Sequence, residues 1–140
     1  MSFLTFPHGR RATTIAVTSG KGGVGKTTLT VNLAIALARM NRQVGVLDAD
    51  FALGNVDVMF GITPIAHLGA VLTGEKRMLD VAATTATGVQ VYPTGNGIRS
   101  LAALGPQQWR RLADGIADVS SGLDYLLTDT GPGIGDTVLH

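Results

Sequence analysis

The apolar positions of this chain fall into short dense runs separated by glycine and polar clusters. "TTIAVTS" (13–19) is rich in β-branched residues and stops at glycines, which predicts a buried strand. "QVGVLDAD" (43–50), "GVQVYP" (88–93) and "LDYLLTD" (123–129) repeat that pattern and predict three more. Between strands the period changes. Residues 26–40 place Leu29, Leu33, Leu37 and Met40 at helical spacing, with Val31, Ile35 and alanines over most other faces, so a largely buried helix is expected. A second helix is expected from Pro106, well placed at a first helical position, to about Val119. It carries Trp109, Leu112, Ile116 and Val119 on one face, with Arg110, Arg111, Asp114 and Asp118 away from it. Weaker helical signals cover 67–72 and 75–81, and "FALGNVDVMFGI" after Asp50 reads as a loop with a short extended piece.

Strands that are apolar on both faces and alternate with helices imply a parallel sheet covered by helices, an α/β fold. Ligands in such sheets sit at the carboxyl ends of the strands. With 140 residues, one domain is the default, here 13–140 after a short polar lead over 1–12.

Composition narrows the chemistry. Eleven basic against ten acidic side chains leave a net charge of +1, which gives no bulk attraction to nucleic acid or an anionic membrane; DNA is not an expected partner. The absence of cysteine excludes disulfides, thiolate zinc sites and cysteine-ligated iron–sulfur clusters within the chain. The lead lacks a signal-like apolar segment, and no apolar run reaches membrane-spanning length, so a cytoplasmic protein is expected. His8, His67 and His140 have no partner at metal-ligand spacing.

The strongest chemical signal is "GKGGVGKT" (20–27), which satisfies GxxxxGK[ST] between a β-branched strand and a helix. Average residue usage makes a chance match roughly a one-in-two-hundred event before that context is counted. Glycines let successive amide N–H groups line one concavity, and the helix N-terminus adds partial positive charge. Lys26 is expected on the β- and γ-phosphates of a nucleotide, and the Thr27 hydroxyl on Mg²⁺. A P-loop also needs carboxylates for the hydrated metal and the attacking water. Asp129 ends the fourth strand at the Walker B position, and Asp48 and Asp50 end the second.

Together "KGGVGKTT", "LDADFALGNVDVMFG" and "LLTDTGPGIG" resemble the MinD/ParA family of P-loop ATPases with a deviant Walker A motif. The resemblance implies that Gly20, Lys21, Gly22, Gly23, Val24, Gly25, Lys26, Thr27 and Thr28 form the nucleotide loop, with Thr28 on the α-phosphate. It implies that the second lysine, Lys21, reaches across a dimer to the phosphates held by a partner copy. It makes Lys21, Lys26 and Asp50 catalytic, Asp50 by positioning the hydrolytic water, and it puts Thr27, Asp48 and Asp129 around Mg²⁺. The implied activity is ATP hydrolysis in a switch that dimerises on ATP.

Within the family, "ADFALGNVDVMFGI", "YPTGNGIRSLAAL" and "DTGPGI" are similar to the FlhG branch, also called FleN or YlxH, which regulates flagellar number and placement. That branch implies the flagellar GTPase FlhF or a transcription regulator as partner, besides the homodimer, and peripheral membrane association only in a longer form. Two alternatives stay open: a MinD-like ATPase of the division site, and a remnant that binds nucleotide without hydrolysis. The resemblance stops just after the Walker B segment at about half the family's usual length, so the C-terminal part of the fold is expected to be missing. A parallel sheet cut after four strands is expected to expose an apolar edge.

Overall fold

The computed structural model describes residues 2–4, 12–18, 25–49, 55–95 and 103–130. Along the chain run β1 (Ser2–Leu4), β2 (Thr13–Val17), α1 (Lys26–Arg39), β3 (Val44–Ala49), α2 (Val56–Met59), α3 (Leu68–Leu72), α4 (Met78–Val81), β4 (Ala83–Thr84), β5 (Gln90–Tyr92), α5 (Pro106–Ser120) and β6 (Tyr125–Thr130). The strands form one sheet in the order β1-β2-β6-β3-β5-β4. β2, β6, β3 and β5 are mutually parallel, and these are the four strands expected from the sequence. Both edges differ from expectation. β1 pairs antiparallel with β2, and β4 pairs antiparallel with β5, so neither parallel edge strand is left bare. Neither β1 nor β4 lies in an apolar run bounded by turn residues of the kind that marks 88–93, so neither is read from sequence.

Alternation along the parallel strands feeds two cores. Ile15, Val44, Val46 and Leu127 pack with Val31 and Ala34 of α1 on one face. Leu47, Tyr92 and Leu126 face the other way and pack with α3, α4 and α5 through Leu68, Met78 and Leu112. Gly45 is a point of close approach on that second face: a Cβ there would lie 2.7 Å from Leu123 Cδ1 and 3.1 Å from Tyr92 Cε2.

α1 spans nearly the expected residues, but Leu29 and Met40, expected on its apolar stripe, are exposed. Thr30, Val31 and Ala34 are buried, whereas Leu29 is 58% and Met40 65% exposed. The first turn is fixed to the sheet. Lys26 and Thr27 reach β6, and Thr30, one turn on, donates its hydroxyl to the Lys26 carbonyl at 2.9 Å. The buried stripe therefore continues from Lys26 through Thr30, Val31 and Ala34; Leu33, Ile35 and Leu37 are partly buried against the same core, and Leu29 and Met40 are left exposed.

α5 matches its predicted span and apolar face. Leu112 and Val119 are buried, and Trp109 and Ile116 pack against the same core. The Gly105 amide donates to Gln108 Oε1 at 2.9 Å, and Pro106 opens the helix where no N–H is needed. Arg111 departs from expectation: its guanidinium turns inward and donates to the Leu72 carbonyl at 2.8 Å, closing the exposed end of α3.

The segment after Asp50 also differs, because residues 56–59 form α2 and not an extended piece. Val56 and Val58 alternate like a strand in sequence, but the Asp48 carboxylate accepts the Val56 N–H at 3.3 Å and holds the first turn.

Candidate functional site

Two adjacent side chains, Lys26 and Thr27, meet a third about a hundred residues on, Asp129, at the carboxyl end of the sheet. Gly25 precedes α1 with φ +79°, a left-handed conformation that glycine adopts without steric cost. A Cβ there would meet nothing within 4 Å among the described residues, so it is the positive φ that calls for glycine. The turn leaves Lys26 as the first helical residue, aimed at β6. Its ammonium forms an ion pair with Asp129 Oδ1. The Thr27 hydroxyl donates to Asp129 Oδ2 at 2.8 Å.

Strand parity explains why Asp129 is there to receive them. It shares a face with Leu127, the α1 face, and lies directly beside Val17 of β2 in the parallel register. The loop that leaves β2 therefore starts next to this carboxylate. Asp129 is fully buried, and a buried carboxylate requires partners on its oxygens. Lys26 and Thr27 supply one to each.

Asp48 sits opposite Asp129 in the β3–β6 register and is 2% exposed. It shares the α1 face with Val44 and Val46, and its Oδ2 accepts the Val56 N–H. Two carboxylates thus lie side by side on adjacent strands, one bound to the start of α1 and the other to the start of α2. Thr28 is exposed at the mouth of this arrangement. Residues 20–24, Lys21 among them, and Asp50 lie outside the described residues.

The groups present suit an anion and a hard cation together. α1 has no acidic residue in its first turn, and among the described residues no side chain caps it, so its N-terminus suits an anionic ligand. Among the described residues no three His, Cys, Asp or Glu side chains gather into a metal cage. Two carboxylates and a hydroxyl are the kind of partial set that Mg²⁺ accepts, since it keeps several of its waters. Thr27, Asp48 and Asp129 would hold it.

Sequence reasoning did not find Thr94. It is 5% exposed, and its hydroxyl donates to the Asp48 carbonyl at 2.6 Å. Only the sheet order, with β5 beside β3, brings it near the site. A hollow of about 240 Å³ lined by Ala38, Asn41, Arg42, Gln43, Thr87 and Gly88 lies at the opposite end of β3 from Asp48 and shares no residue with the site.

Comparison with known proteins agrees with this geometry. The family described as "ParA: NUBPL iron-transfer P-loop NTPase" matches residues 10–140. The chain is 47% identical over 125 residues to the antiactivator FleN of Pseudomonas aeruginosa, covering 89% of this chain and 45% of that protein. It is 39% identical over 124 residues to the flagellum site-determining protein YlxH of Helicobacter pylori, covering 88% and 42%. The chain therefore spans somewhat less than half the length of these relatives. Among solved structures, the septum site-determining protein MinD of Pyrococcus horikoshii, complexed with Mg-ADP, superposes with a TM-score of 0.73 at 31% identity over 86% of this chain and 49% of that one. Family match, parallel sheet and the meeting of Lys26, Thr27 and Asp129 agree: the chain belongs to the ParA family of P-loop NTPases.

Proposed function

We infer that this chain carries the nucleotide site of an ATP-hydrolysing dimerisation switch of the FlhG kind, one that regulates flagellar number and placement. The observation that carries the reading is the convergence of Lys26, Thr27 and Asp129 at the ends of adjacent strands, beside a glycine turn that opens α1. The flagellar assignment rests on the likeness to FleN and YlxH.

Each side chain then has a role. Lys26 leaves Asp129 for the β- and γ-phosphates, Thr28 contacts the α-phosphate, and amides of residues 20–25 surround the triphosphate. Thr27, Asp48 and Asp129 would hold Mg²⁺, which would supply charge neutralisation on the phosphate oxygens. Asp50 orients a water that attacks the γ-phosphorus as the bond to the ADP oxygen breaks. Lys21 of a second copy meets the charge that develops on the transferred group. Two copies are needed, and ATP joins them. The partners of the switch are a second copy of this chain and the flagellar GTPase FlhF or a transcription regulator.

Phosphate release from Mg-ATP tests this. The rate per chain should rise with protein concentration and fall to background in both Lys26→Ala and Lys21→Ala, while Lys21→Ala still binds Mg-ATP. A rate independent of concentration and unaffected by Lys21→Ala contradicts the dimeric switch. Tight Mg-ATP binding with no release in the wild type assigns the binding-only reading instead.

A further inference from the structure

Where the β3–β5 ladder stops, a side chain takes over. The paired register ends at Leu47 and Tyr92, because the next residue on the β5 side is Pro93, which has no N–H to donate. One residue on, the buried Thr94 donates its hydroxyl to the Asp48 carbonyl at 2.6 Å. The same segment is held from its other side, since the Pro93 carbonyl accepts the Leu68 N–H at 2.8 Å. Thr94 is thus fixed between α3 and the end of β3, and it fixes in turn the peptide unit of Asp48.

Asp48 is the residue whose carboxylate lies beside Asp129 on the α1 face and accepts the first N–H of α2. The direction in which that carboxylate projects depends on the peptide plane that Thr94 holds. We propose that Thr94 is a positioning residue for the metal side of the nucleotide site, acting through Asp48. This rests on the reading of Asp48 as a group of the Mg²⁺ shell.

The consequence is selective. Lys26 and the amides at the start of α1 meet the phosphates without help from β5, so removing the Thr94 hydroxyl leaves metal-free nucleotide binding alone. Magnesium needs the carboxylates in register, and a supporting hydrogen bond one step behind a metal ligand is commonly worth about tenfold or more in metal affinity.

The test is calorimetric titration of ATP into the full chain, once in EDTA and then at graded Mg²⁺, for wild type, Thr94→Val and Thr94→Ser. Thr94→Val keeps the shape and loses the donor; Thr94→Ser keeps the donor. The expected result is a rise of about tenfold in the Mg²⁺ concentration that half-saturates the metal-dependent gain in affinity for Thr94→Val. Its affinity in EDTA should stay within about twofold of wild type, and Thr94→Ser should behave as wild type in both conditions. An unchanged Mg²⁺ requirement in Thr94→Val overturns the proposal, as does an equal loss in EDTA and in Mg²⁺, which marks a merely structural role. If Thr94→Val does not fold, Thr94→Ala must show the same split, and its absence overturns the proposal equally. A wild type that binds no Mg-ATP at all is a failure of the nucleotide-site reading, a separate result visible before any variant is compared.

Discussion

Lys26 and Thr27 are both committed to Asp129 in this structure, one to each carboxylate oxygen. Those three groups are the ones expected to hold the phosphates and the metal, so loading the site is an exchange of partners and not the filling of a space. When a triphosphate draws Lys26 away, Asp129 is left as a buried charge, and a buried charge without its partner is costly. A divalent cation arriving with the nucleotide removes that cost, so nucleotide and metal should bind cooperatively. Replacing Asp129 by Asn releases Lys26 without leaving a charge behind. In EDTA, Asp129→Asn should bind ATP about tenfold more tightly than wild type, the order expected for freeing one charge-assisted hydrogen bond. Asp48→Asn, which removes a nearby charge but not the partner of Lys26, should gain clearly less; equal gains in calorimetry would show that general repulsion, not the pair, sets the affinity. The motif made Lys26 and Thr27 legible in the sequence, and Asp129 followed from its place after a strand. That the three touch one another was not legible, because it depends on β2 and β6 being neighbours.

At the scale of elements, the runs bounded by turn residues were readable, down to β5, α3 and α4, while β1, β4 and α2 were not. α5 shows the expected face, since Trp109, Leu112, Ile116 and Val119 supply a continuous stripe that packing did not override. α1 was placed correctly and Val31, Leu33, Ile35 and Leu37 pack inward, but Leu29 and Met40 at its two ends are exposed, the first beside a turn whose side chains Lys26 and Thr27 reach Asp129. α2 was missed because its first turn is held by a carboxylate eight residues earlier and not by its own pattern. β5 gives a prediction of its own. Tyr92 is 3% exposed against the closely packed Gly45, and burial raises its phenol from 10.0 to about 12. The folded state thus holds the proton to higher pH than the unfolded chain does. Stability from this group is intact below pH 10.0, and falls as pH rises from there to about 12. The loss is about 2–3 kcal/mol at the upper end. Unfolding free energies from urea titrations at pH 9 and near 12 should therefore diverge for wild type more than for Tyr92→Phe by that amount; equal divergence would remove Tyr92 as the cause.

For the molecule as a whole, the parallel order β2-β6-β3-β5 brings the carboxyl ends of four strands into a row, and the site lies along it. Lys26 and Thr27 come from the helix after β2, Asp129 from β6, Asp48 from β3 and Thr94 from just beyond β5. The α/β class was legible because every parallel strand is apolar on both faces. The closing of both edges by β1 and β4 was not, since neither lies in a turn-bounded apolar run like the one that marked β5. The near-neutral charge of +1 fits a ligand held locally by this row of strand ends and not by a broad basic surface. The most direct test of the central claim is calorimetric titration of Mg-ATP into the wild-type chain and into Lys26→Ala, with folding of both checked by circular dichroism. Saturable heat with one nucleotide per wild-type chain, weakened at least a hundredfold in Lys26→Ala, is the predicted result, since that ammonium meets two phosphates at once. No heat in a folded wild-type chain, or the same affinity in Lys26→Ala, would contradict it.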